Sequence, residues 1–162
     1  MIDSGDYMNR WFYINGILLI AVSWVFFTGS LHKSIAFGYI GFLFFLINWT
    51  RHAMFSTIRS NIPRKKKIAF AQFSKRFLPF HKWTGTLTLV FILIHGLYMF
   101  DRFTFQLTNG KMLSGLIAAL TLTAVVTFGW LRLYWPSTRK RFTHLYLAMA
   151  LFFLLSIHIF LF

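Results

Sequence analysis

Residues 79–100 read PFHKWTGTLTLVFILIHGLYMF, an apolar run with His81 near its start and His95 near its end. A run of this length and composition covers the ~30 Å hydrocarbon core of a bilayer as one helix. Residues 141–162, RFTHLYLAMALFFLLSIHIFLF, repeat the arrangement with His144 and His158. In both runs the histidines stand 14 positions apart. At ~100° per residue that interval turns ~1400°, about 40° short of four full turns, so each pair shares a helix face. The rise over the same interval is ~21 Å, which sets one histidine of each pair near each membrane surface.

Outward from these two runs, three more apolar stretches complete a pattern of five spans, at about 11–29, 35–55, 79–100, 113–134 and 142–162. The expected fold is an all-α membrane protein, a five-helix transmembrane bundle forming a single domain over 1–162. Pro79 suits the first turn of helix three, and Pro136 suits a break after helix four. The first span lacks an Ala-x-Ala-like cleavage site and is expected to be retained. Composition agrees: 57% of the chain is hydrophobic, 21% aromatic and only 12% charged, against ~25% charged in a soluble domain. A soluble domain built this way would expose large apolar patches and aggregate.

The chain carries 17 Lys and Arg against 3 Asp. In a soluble protein such a balance suggests nucleic-acid binding, but here the cations sit between apolar runs and act as topology signals. The N-terminus, the 50–82 connection and the 132–141 connection fall on one side and hold 14 of the cations; the other side holds Lys33, Arg102 and Lys111. The positive-inside rule therefore predicts a cytoplasmic N-terminus and an outer C-terminus, with membrane lipid and no nucleic acid as partner. The 56–78 connection between helices two and three contains Arg64, Lys65, Lys66 and Lys67 followed by Ile68, Phe70, Phe73 and Phe77. It reads as a basic amphipathic helix on the inner leaflet, with a plain solvated loop and a docking surface for an acidic partner as alternatives. Trp11, Trp49, Trp83, Trp130 and Trp135 are placed by the pattern at the inner interface as an aromatic belt.

With no cysteine, disulfides, iron–sulfur clusters, thiolate metal sites and covalently attached haem are excluded. The three carboxylates, Asp3, Asp6 and Asp101, all lie outside the long apolar runs, so a carboxylate proton relay, a di-iron carboxylate site or a paired-acid hydrolase has nothing to be built from.

Helices three and five are both odd-numbered and run in the same direction. His81 and His144 then share a depth near the cytoplasm, and His95 and His158 share one near the outside. Two neutral imidazoles at one depth on facing helices supply both axial ligands of a haem iron, and two layers make a stack of two b-type haems. A single intramembrane histidine serves equally well as an interhelical hydrogen bonder; two equally spaced pairs favour the ligand reading. Gly85 and Ala148, one turn beyond His81 and His144, suit the approach of a flat macrocycle, with ordinary small-residue packing as the alternative. Thr88 and Leu151 fall midway between the histidines of their helices. Candidate propionate partners are Arg132, Arg141, Lys82 and Arg51 on the inner side, and Arg102 and Lys111 on the outer. His32 and His52 read as interfacial polar residues, His52 with a second role near a substrate or propionate open to it.

The segments His81-Lys82-Trp83-Thr84-Gly85 with His95-Gly96, and Arg139-Lys140-Arg141-Phe142-Thr143-His144-Leu145 closing at His158, resemble the third and fifth helices of the ferric reductase-like transmembrane domain. That superfamily includes ferric reductases, NADPH oxidases and the haem-bearing membrane subunit of bacterial periplasmic methionine sulfoxide reductase systems. The resemblance spans about 35–162 and implies two haems on His81/His144 and His95/His158, carrying electrons outward across a bacterial plasma membrane. The family's usual sixth helix has no counterpart here, and whether a partner subunit or oligomer supplies one is left open. A cytoplasmic flavin and nicotinamide domain and a Gly-x-Gly-x-x-Gly motif are also lacking. The donor is then expected to be a separate flavoprotein or a quinol, making the chain a transmembrane oxidoreductase component. Alternatives are a haem-binding or haem-transfer protein without electron flow, and a divalent-metal transporter or structural subunit; the lack of intramembrane carboxylates weighs against transport of hard cations.

Overall fold

The computed structural model describes residues 9–29, 31–103, 106 and 108–160. These form five helices and, among the described residues, no strand: α1 (Arg10–Thr28), α2 (Lys33–Ile58), α3 (Arg64–Arg102), α4 (Gly110–Tyr134) and α5 (Thr138–Phe160). All five are long and apolar enough to cross a membrane. The fifth expected span extended to Phe162, and its last two residues lie outside the described set, as do Asp3 and Asp6.

Short polar residues start the helices. The Asn9 side chain accepts from the Trp11 amide to open α1, Asn109 accepts from the Lys111 and Met112 amides to open α4, and the Ser137 hydroxyl accepts from Lys140 ahead of α5. Within the helices, hydroxyls fold back on the carbonyl one turn earlier, as Thr57 does on Ala53 and Ser156 on Phe152. This meets their hydrogen-bonding needs where water is scarce. Large apolar side chains point outward along every helix, among them Ile20, Phe27, Phe80, Leu120 and Phe160. In water such a surface would aggregate; against lipid tails it carries no penalty.

Helix α3 departs from expectation. The basic 64–78 stretch is not a separate surface helix: it runs unbroken into the third span, giving one helix of 39 residues with Pro79 in its interior rather than its first turn. Proline in a helix interior removes the bond to the carbonyl four residues earlier, here that of Lys75. Both Lys75 and Pro79 are exposed, so the freed carbonyl is open to water or headgroups and the helix continues.

Two compact units emerge, each described here by itself. The first comprises the described residues of Met1–His32 with Tyr39–Thr88; the second comprises Lys33–Gly38 with Leu89–Phe162. In the first unit, Trp11 of α1 meets Trp49 and His52 of α2 edge-on with ring centroids 6.0 and 5.9 Å apart, and Trp49 lies 4.6 Å from His52. Trp49 is buried, so it packs inside the protein rather than facing outward as a belt residue, whereas Trp83 and Trp135 are exposed. Asn15 donates to Thr50 at 2.9 Å, Thr84 donates to Asn48 at 2.8 Å, and Phe70 of the basic segment packs on Phe12 at 5.6 Å. In the second unit α4 packs along α5, and Phe37 stacks on Phe91 and Tyr98.

Candidate functional site

His81 and His95 share the single helix α3, and His144 and His158 share α5. All four are half-buried. His81 belongs to the first unit; the other three belong to the second.

Within the second unit each of the three histidines is held in the same way. The His95 Nδ1 lies 2.7 Å from the Ser34 carbonyl oxygen of α2. That of His144 lies 2.9 Å from the Val125 carbonyl oxygen of α4. That of His158 lies 3.1 Å from the Ser114 hydroxyl, which lies 3.0 Å from the Lys111 carbonyl oxygen, so this ring reaches the Lys111 carbonyl through Ser114. A carbonyl can only accept, so Nδ1 is the donating nitrogen of His95 and His144. A backbone acceptor behind Nδ1, with Nε2 left to coordinate, is how metal-ligating histidines are usually held.

A glycine faces each ring. A Cβ on Gly115 would come within 2.8 Å of His158 Cε1, one on Gly38 within 3.0 Å of His95 Nδ1, and one on Gly129 within 3.4 Å of His144 Cε1. The acceptor and the glycine are related in every case: Ser34 and Gly38, Lys111 and Gly115, Val125 and Gly129 each stand four residues apart on one helix. In an α-helix the Cα–Cβ bond tilts toward the N-terminus, so the side chain at i+4 stands over the carbonyl of residue i. Glycine at i+4 opens that carbonyl, already bonded within the helix, to a second donor. None of these three glycines is evident from composition, where a glycine in a span reads as packing. One signal was available: Gly115 and Gly129 are 14 apart, the interval of both histidine pairs, and the same interval from Gly38 along α2 falls on His52.

The residues singled out by sequence fare unevenly. Around His81, Thr84 bonds Asn48, but a Cβ on Gly85 would meet only the Asn48 amide nitrogen at 3.8 Å, an ordinary contact that demands no glycine. Thr88 and Leu151 are fully buried, the Thr88 hydroxyl on the Thr84 carbonyl. Arg132 and Arg141 are exposed at the end of α4 and the start of α5; Lys82 lies over the Trp83 ring and Arg51 over Phe55. His32 is exposed, while His52 sits among the tryptophans of α1 and α2. Among the described residues no group of three or more His, Cys, Asp or Glu comes together as a metal-ion site.

No family model, curated protein or solved structure matches the chain.

Proposed function

We propose that the chain is a two-haem b-type cytochrome of the cell membrane, ferric reductase-like in plan, with His81/His144 and His95/His158 as inner and outer axial pairs. The observation that supports the reading is the hold on Nδ1 in the second unit: His95 and His144 each set it on a backbone carbonyl, and His158 sets it against the Ser114 hydroxyl, the kind of outer-layer partner that metal-ligating histidines have. The donor set fits haem, whose iron draws only two ligands from the protein. A transported or structural metal ion would call for a cluster of three or more side chains instead. When bound, the haems would supply one-electron transfer from a donor on the cytoplasmic side, a flavoprotein or a quinol, to an acceptor outside.

The chain's own residues hold, orient and insulate. The exposed cations Arg132 and Arg141 would pair with propionates. Orientation follows from the cations, 14 on the side assigned to the cytoplasm and 3 on the other.

The test is an absorption spectrum of detergent-purified protein, oxidised and dithionite-reduced, with haem counted per chain. Two low-spin b-type haems per chain are expected, and His95→Ala or His158→Ala should each remove one. Absence of haem after growth with ample iron and haem overturns the proposal. Bound haem that passes readily to an acceptor protein, with no reduction by a cytoplasmic donor, would make the chain a haem-transfer protein instead.

A further inference from the structure

We infer that the carbonyl–glycine notches at Ser34/Gly38, Lys111/Gly115 and Val125/Gly129 are positioning elements, which set the tautomer and ring plane of the ligating imidazoles. The inference rests on the haem reading above and goes beyond it, because it assigns a role to residues that touch neither iron nor porphyrin.

Packing alone does not account for the arrangement. Three separate histidines, on two helices, each meet a glycine: His95 and His144 bond the carbonyl four residues before theirs directly, and His158 reaches it through Ser114. Glycines away from these sites approach no histidine ring: a Cβ on Gly16 or Gly96 would meet nothing within 4 Å, and one on Gly29 would meet its own helix at the Val25 carbonyl oxygen, 2.7 Å away. Each ring is fixed at two points, Nδ1 by its hydrogen bond and the Nδ1–Cε1 edge by the bare backbone. Rotation about the Cβ–ring bond would break the first contact, and withdrawal of the ring would open a gap at the second. The ring plane is thereby set before any ligand arrives.

The notches also differ in strictness. At Gly115 an added methyl lands 2.8 Å from a ring atom, so the ring must move; at Gly38 the figure is 3.0 Å, and at Gly129 it is 3.4 Å. Alanine should therefore disturb the sites in the order Gly115, Gly38, Gly129. The first two act on the outer haem and the last on the inner.

The experiment uses the full chain, purified with its haem, and reads the low-spin ferric EPR spectrum together with haem retention. The EPR signal of a bis-imidazole haem depends on the angle between the two ring planes, which a general loss of packing would not shift selectively. Gly115→Ala is expected to move the outer haem's signal and to lower haem affinity at that site by about 10- to 100-fold, the range for second-layer metal-site changes. The inner signal should stay unchanged, and Gly16→Ala should leave both intact. If wild type holds two haems and both Gly115→Ala and Gly38→Ala keep the wild-type spectrum and retention, the inference is overturned while the cytochrome reading stands. If wild type holds no haem, both fall. Should Gly115→Ala fail to accumulate, the His158→Ala/Gly115→Ala double variant decides. Recovery to the level of His158→Ala alone ties the defect to the ring and supports the notch, and no recovery overturns it.

Discussion

Asn15 on α1 is 3% exposed; its amide nitrogen donates to Thr50 while its Oδ1 has no partner among the described residues. A half-satisfied buried amide contributes little, because the gain at one end offsets the desolvation of the other. Asn15→Leu should accordingly change stability by less than about 1 kcal/mol, whereas Thr50→Val, which strands the amide nitrogen as well, should cost about 1 kcal/mol. Thermal unfolding in detergent distinguishes the two, and a larger loss in Asn15→Leu than in Thr50→Val would contradict the assignment. Residues of this kind set the limit of what is legible one position at a time. The four ladder histidines stood out because imidazole is rare inside a span and costly without a partner. Their supports, Gly38, Gly115 and Gly129, did not: a missing side chain advertises nothing until the ring it accommodates is in view.

At the scale of the element, the five spans were legible from apolar length, since a helix crossing hydrocarbon must be both long and nearly free of charge. The start of α3 was not. Pro79 reads as an N-terminal residue because that is where proline costs least, and the basic 64–78 stretch looks like a separate piece. Two things outweighed the proline: the exposure that lets the Lys75 carbonyl find water, and the contact of Phe70 with Phe12 that ties the segment back to α1. Pro79→Ala should therefore restore one backbone bond and stabilise the protein, by no more than the ~3 kcal/mol that an interior proline costs. A raised midpoint in detergent unfolding with unchanged haem content is the expected result; a lowered one would mean that α3 depends on its proline for shape.

For the whole molecule, orientation in the membrane is the property most open to direct measurement. Because the chain contains no cysteine, single cysteines can be introduced without background. Thr108→Cys, at an exposed position between α3 and α4, should react with an impermeant maleimide on intact cells; Asn61→Cys and Thr138→Cys should react only after the cells are opened. The reverse pattern would invert the direction assigned to electron flow. The pairing of α4 with α5 has a further consequence, for how the protein can change in length. Gly115 meets His158 and Gly129 meets His144, two rungs set 14 positions apart on each antiparallel helix. Deleting one residue from α4 between the rungs would swing one glycine ~100° around the helix and slide it ~1.5 Å along the axis, leaving a side chain where the ring must fit. A compensating deletion in α5 would restore the count but turn its own histidine off the shared face. Single-residue insertions and deletions between the rungs should thus be tolerated in neither helix, while the connections at 103–109 and 135–137 are free to vary. Related sequences would be expected to keep these intervals fixed even where their apolar residues have drifted.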